Sequence, residues 1–188
     1  MVNDTLANTT RAAHDLGLAA WLGGSMFGKF AHNPSLSAIS DRTERGKVAS
    51  RAWGGYNVVN SVGLGSAALG WAAARATETR NGRMSDRERG LSRAKDGLMA
   101  TAVVAGVASG VQGARLAKQA PDGAVPIISG TKPAPETPPA AARIQKSLGI
   151  LGNVSILSGV ALVAVNAVLA QTSYSRPPAR RGLLRRSS

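Results

Sequence analysis

The side chains able to do chemistry in this chain sit in or beside stretches built mainly from Ala, Gly, Val and Leu. His14 and Asp15 are the one adjacent ionisable pair at the edge of such a stretch. An imidazole beside a carboxylate can hold a ligand or handle a proton, and ionisable groups in apolar segments invite a functional hypothesis. The plainer reading is structural: at a helix start the dipole favours Asp15, and an interface hydrates both groups. Deeper in apolar segments lie Tyr56, Asn57, Asn60 and Asn166. The three amides need hydrogen-bond partners wherever water is excluded, and they can find them in one another or around a polar cavity. With His14, Asp15 and Trp21, they are the candidates for a ligand-binding cavity.

Other chemistries lack their parts. There is no Gly-rich phosphate loop ending in Lys-Ser/Thr, no nucleophile elbow, no His-Glu-x-x-His and no pair of buried carboxylates, so no enzyme is expected. The chain has no Cys, two His and four Met, which leaves no soft-ligand cluster. No metal and no cofactor are expected.

Charge distribution says more than any motif. Residues 52–74, 97–114 and 147–175 contain no Asp, Glu, Lys or Arg, although the whole chain carries 33 charges in 188 residues. Random placement would put roughly 12 charges in those three segments, and a helix in water needs them on its outer face. About 20 apolar residues cross the hydrocarbon of a bilayer. Together with residues 12–31, the pattern predicts an all-α, four-helix transmembrane bundle over residues 1–175, with spans near 12–31, 52–74, 97–114 and 148–170. The spans are unequal. The fourth has twelve Leu, Ile or Val residues between Leu148 and Leu169, worth roughly −5 kcal/mol for insertion. Each of the others reaches roughly −2 kcal/mol and needs help from its neighbours.

Between the spans, Asn33-Pro34 is expected to break the first helix and Ser40 to start the second. Residues 12–31 are read as a mature span rather than a secretory signal, because Arg11 is the only early cation and no Ala-x-Ala follows. Ser85-x-x-Glu88 is a capping box, which starts the third helix about three turns before its apolar part and leaves a charged cytoplasmic-side extension. The Pro-rich loop 119–142 reads as extended and poorly ordered, with Thr137-Pro138-Pro139 opening the fourth helix. The tail 176–188 carries five Arg and no acid, and is expected to be disordered. Lys and Arg near span ends number 13 on the side of the termini and second loop against 10 on the other. With the charge-sparse third loop, this places both termini in the cytoplasm.

Helices in lipid associate by close backbone approach, which small residues permit. At 100° per residue, His14, Gly17, Trp21, Gly24 and Gly28 fall within about 80° of one another. The second span groups Trp53, Asn57, Asn60, Ala67 and Trp71, with Trp53 and Trp71 also placed as interfacial belt residues. The third aligns Ala102, Gly106, Ser109 and Gly113, with Gly110 in an overlapping Gly-x-x-x-Gly; the fourth aligns Gly152, Ser155, Gly159 and Asn166. The expected bundle therefore has Gly/Ala/Ser-rich interfaces.

The spacing from His14 to Trp21-Leu22-Gly23-Gly24 resembles the first span of copper-resistance-type membrane domains and of four-span bacterial families of unknown function. The wider text, including His14–Trp21 and Arg176-Pro177-Pro178-Ala179-Arg180-Arg181, looks like uncharacterised actinobacterial membrane proteins. The copper likeness covers about 15 residues, and only His14 and Trp21 can be carried across from it.

The net charge of +13 lies almost entirely outside the spans. Arg180, Arg181, Arg185 and Arg186 beside a span suit anionic lipid headgroups, while the tail offers no aromatic to stack bases, so nucleic acid is not the expected partner. The function expected is that of a non-enzymatic scaffold or assembly partner in a cell membrane, acting with a membrane protein partner or as a homo-oligomer. The alternative is a small-molecule or metal transporter with a polar cavity between spans 1, 2 and 4.

Overall fold

The computed structural model describes residues 2–78, 85–120 and 124–174. Four long helices dominate: α1 Val2–Phe27, α2 Arg42–Glu78, α3 Asp86–Lys118 and α4 Pro139–Tyr174. The chain is mostly helical, and the one described sheet is a short antiparallel hairpin of β1 Ile127–Ser129 and β2 Lys132–Pro133. α1 pairs with α2, α3 pairs with α4, and the two pairs join mainly through α1 on α4.

Helix boundaries follow local chemistry, with two departures from expectation. α3 begins at the capping box: Ser85 Oγ accepts from the Glu88 amide, and the Glu88 carboxylate accepts from the Ser85 amide. α2 begins not at Ser40 but after Asp41, whose Oδ1 accepts from the Glu44 amide at 2.7 Å. A carboxylate caps as well as a hydroxyl and also answers the helix dipole. Asn33-Pro34 does not end the first helix abruptly either. Pro34 has no N–H for the carbonyl one turn back, and the backbone widens ahead of it into a π turn, Gly28–His32, where the Asn33 N–H reaches Gly28 O. A single helical turn and a 3-10 turn follow, and the chain becomes extended only at Ile39.

The Pro-rich loop differs more strongly from its expectation. Its described part, 124–138, is an ordered cap over one end of the bundle. Val125 and Ile127 bury against Leu36, Ala49 and Ala141 in a second, small core. Thr137 does not cap α4; its hydroxyl donates to Pro126 O and accepts from the Ala134 amide. Arg45 ties the cap together by donating to three carbonyls, those of Ile39 (2.5 Å), Ile128 (3.1 Å) and Ser37 (3.2 Å). Prolines remove backbone donors, but Val125 and Ile127 supply the apolar surface that holds the cap down.

The main core joins Leu18, Trp21 and Leu22 of α1 to Leu64 and Ala67 of α2, Met99 and Ala102 of α3, and Ile156 and Leu162 of α4. Around it the usual order is inverted. Every long helix turns large apolar side chains outward, among them Leu16 (72% exposed), Leu69 (74%), Val104 (68%) and Leu157 (71%), while His14, Ser92, Gln145, Ser155 and Ser158 are buried. By length and composition, α3 and α4 could each cross a membrane. α1 falls short of that mark because it carries Arg11, His14 and Asp15, and α2 because Gly, Asn and Ser take many of the places that Leu and Val hold in α4.

Candidate functional site: a buried polar node

His14 lies on the face of α1 that carries Leu18 and Trp21, at helical spacings of four and seven, and all three are under 5% exposed. Glycines bring α2 close to this face. A Cβ at Gly17 would lie 2.4 Å from Gly63 O, and one at Gly70 would lie 2.7 Å from both His14 Cβ and Thr10 O. That approach lets the imidazole reach the backbone of α2, where Nδ1 donates to Ala67 O at 2.6 Å. Asn166 comes in from α4, its Nδ2 at 3.1 Å from His14 Nε2. A carbonyl can only accept, so Nδ1 carries a proton; the amide donor leaves Nε2 as the acceptor. The node is a neutral imidazole bonded to two other helices.

The structure brings His14 and Asn166 together and leaves the other sequence candidates apart. Trp21, seven residues along α1 from His14, belongs to the main core. Asp15 is exposed. The Tyr56 hydroxyl donates to Ala20 O at 2.6 Å, and its ring lies over Gly24, where a Cβ would meet the hydroxyl at 1.8 Å. Asn57 is exposed and Asn60 half-buried. They lie ten and seven residues from Ala67, roughly 15 and 10 Å along the helix, so neither shares a level with the node.

The glycine stripes divide in the same manner. Gly28 sits beneath the Trp53 indole, Gly106 beneath Leu64, and Gly159 beneath Leu22 and Trp21, while Gly110, Gly113 and Gly152 face no atom within 4 Å. Arg180, Arg181, Arg185 and Arg186 lie outside the described residues.

Sequence reasoning missed a second polar cluster, one turn beyond the node. Asp96 of α3 accepts from Trp71 Nε1 (2.9 Å) and Arg75 Nε (3.0 Å) of α2, and pairs with the Arg75 guanidinium at 2.8 Å. Trp71, expected as an interfacial belt residue, is an interhelix donor. The missed signal is Asp96 itself, the last charge before the long apolar run of α3. Gly63 and Gly70 were also missed; they flank Ala67 at a seven-residue spacing, which keeps both on one helix face. Lys29 of the π turn reaches across to Asn153 of α4.

Among the described residues, no three His, Cys, Asp or Glu side chains gather as a metal site. No family model, characterised protein or solved structure matches this chain, so the likeness of residues 14–24 to copper-resistance-type spans rests on the sequence spacing alone.

Proposed function

We propose that all four helices cross a membrane and that the chain is a non-enzymatic scaffold, an assembly or regulatory partner in a bacterial cell membrane. The inverted surface carries this reading: uncharged, outward apolar faces on every long helix around a core that keeps His14, Ser155 and Ser158 dry. Hydrocarbon makes such a surface favourable, while water penalises it at about 25 cal/mol per Å².

Register supports four spans rather than two. The contacts of α1 with α4 pair His14 with Asn166, Leu22 with Gly159 and Lys29 with Asn153. α1 thus lies antiparallel to the most apolar helix and level with it. α2 is held to α1 over the same depth, from Gly28 against Trp53 to His14 against Gly70. If α4 lies in hydrocarbon, so do the other two. Their weak individual insertion is then offset by close packing inside the bundle.

The absence of Cys makes the test direct. Single cysteines at Val58, Leu69 and Leu157 should resist an aqueous maleimide in intact membranes, while Ser37→Cys and Arg93→Cys should react from opposite sides. Labelling of Val58→Cys and Leu69→Cys at the rate of Ser37→Cys would reduce the protein to two spans. Recovery without detergent after carbonate washing would remove the membrane reading altogether.

The transporter alternative draws on the His14–Asn166 pair. Ala67, whose carbonyl accepts from His14, is fully buried and belongs with Leu18 and Trp21 to the main core, which favours a packing role for the node over a transport path.

A further inference from the structure

A groove of about 460 Å³ runs between α3 and α4 on the outside of the bundle. Its floor and walls are mostly apolar, formed by Ala108, Val111, Ile150 and Leu151, and it ends at Gln112, Ser147 and Arg115. Gln112 Nε2 donates to Ser147 Oγ at 3.0 Å and fixes the register of the two antiparallel helices. From that bond outward, α3 continues to Arg115 and Lys118 while α4 runs back to Lys146 and Arg143. The four cations therefore gather at one end of the groove, and all are exposed.

Among the described residues, no carboxylate answers these charges. The four described salt bridges involve none of the four cations. The described acidic residues at this end are engaged elsewhere: Asp41 caps α2, Glu44 pairs with Lys47 and Glu136 pairs with Arg42. Arg115 reaches only Gln112 Oε1, at 3.4 Å. An apolar trough leading to cations that no described carboxylate neutralises is complementary to an acyl chain joined to a phosphate.

We propose that this groove binds one anionic phospholipid, its acyl chain along Val111 and Ile150 and its phosphate held by Arg115, with Lys118, Arg143 and Lys146 around it. The proposal rests on the membrane reading above and adds a specific lipid site to it, separate from the Arg-rich tail.

The test uses the full chain, purified in detergent, freed of lipid and titrated with phosphatidylglycerol or with phosphatidylcholine of the same acyl chains, counting bound lipids by native mass spectrometry. The first bound lipid should be phosphatidylglycerol by preference. Combined Arg115→Gln, Arg143→Gln and Lys146→Gln should lower that preference roughly tenfold or more. Ala108→Phe, which fills the trough and leaves the cations, should weaken the first site for both lipids. Replacing Arg180, Arg181, Arg185 and Arg186 with Gln should leave the first site unchanged, and millimolar inorganic phosphate should not displace the lipid. An unchanged preference in the triple variant, or its loss in the tail variant, overturns the site while leaving membrane insertion intact. Release of the wild-type chain by carbonate would defeat the membrane reading instead.

Discussion

Asn166 on α4 donates to His14 on α1 at 3.1 Å across 152 residues of sequence, while the same imidazole donates from its other nitrogen to Ala67 O of α2. One side chain thus bonds three helices, and it can do so only as the neutral ring with its proton on Nδ1. In 15N spectra of selectively labelled protein, Nε2 should give the signal of a bare acceptor nitrogen and Nδ1 that of a protonated one. A proton on Nε2 would reverse the assigned amide orientation of Asn166. A double-mutant cycle of His14→Phe with Asn166→Leu should return a coupling of about 0.5–1.5 kcal/mol, the range of interhelical hydrogen bonds in bilayers.

The glycines separate into sites that must stay small and sites that need not. Gly17→Ala would drive a methyl to 2.4 Å from Gly63 O, a backbone atom that cannot swing aside. α1 and α2 would have to part, loosening the bond between His14 and Ala67. Gly110→Ala and Gly152→Ala meet nothing within 4 Å. Because Ala is the better helix former by about 1 kcal/mol, these two changes should be neutral or stabilising. Unfolding in graded denaturing detergent checks the contrast. Equal losses at Gly17 and Gly152 would mean that the open glycines pack against something outside this chain.

What the sequence made legible, and what it hid, has a physical pattern. Absence of charge over 52–74, 97–114 and 147–175 is a property of whole segments, and it foretold the helices and their order. Ser85 and Glu88 are a local device whose geometry is fixed by adjacent residues, and the capping box is present as read. Long-range pairings were not readable in this way. Asn57, Asn60 and Asn166 look alike in sequence, yet only Asn166 meets His14, because helix register selects among them. The cap misled for a related reason. Its prolines dominate the local signal, whereas Val125 and Ile127 are held by Leu36 and Ala49, residues distant in the chain.

Asp96 should be the most sensitive residue of the second polar cluster. It accepts from both Trp71 and Arg75, and its side chain is 30% exposed, so water can replace only part of what it provides. Asp96→Ala leaves the indole N–H and the guanidinium seeking new acceptors, at a cost of about 1–3 kcal/mol. Asp96→Asn keeps an oxygen for Trp71 and should recover part of the loss. The readout is Trp71 fluorescence, followed in a variant with Trp21 and Trp53 replaced by Phe. A spectrum identical for wild type and Asp96→Ala would show that the indole N–H has no stake in the pair.

Arg45 should control the cap without controlling the bundle. Its guanidinium spans three carbonyls on two separate segments, Ser37 and Ile39 on one side and Ile128 on the other. Lysine keeps the charge but has a single ammonium, which cannot match the forked geometry of three acceptors set in different directions. Arg45→Lys should therefore raise hydrogen exchange at Ile127–Ser129 and around Leu36 while exchange in α3 stays as before. The apolar contacts of Val125 and Ile127 would persist, so the cap should open more often rather than be lost, with exchange rising roughly tenfold for about 1.4 kcal/mol of weakened closure. Unchanged exchange over the hairpin would assign the cap's stability to its small apolar core alone, and Ile127→Ala would then have the larger effect.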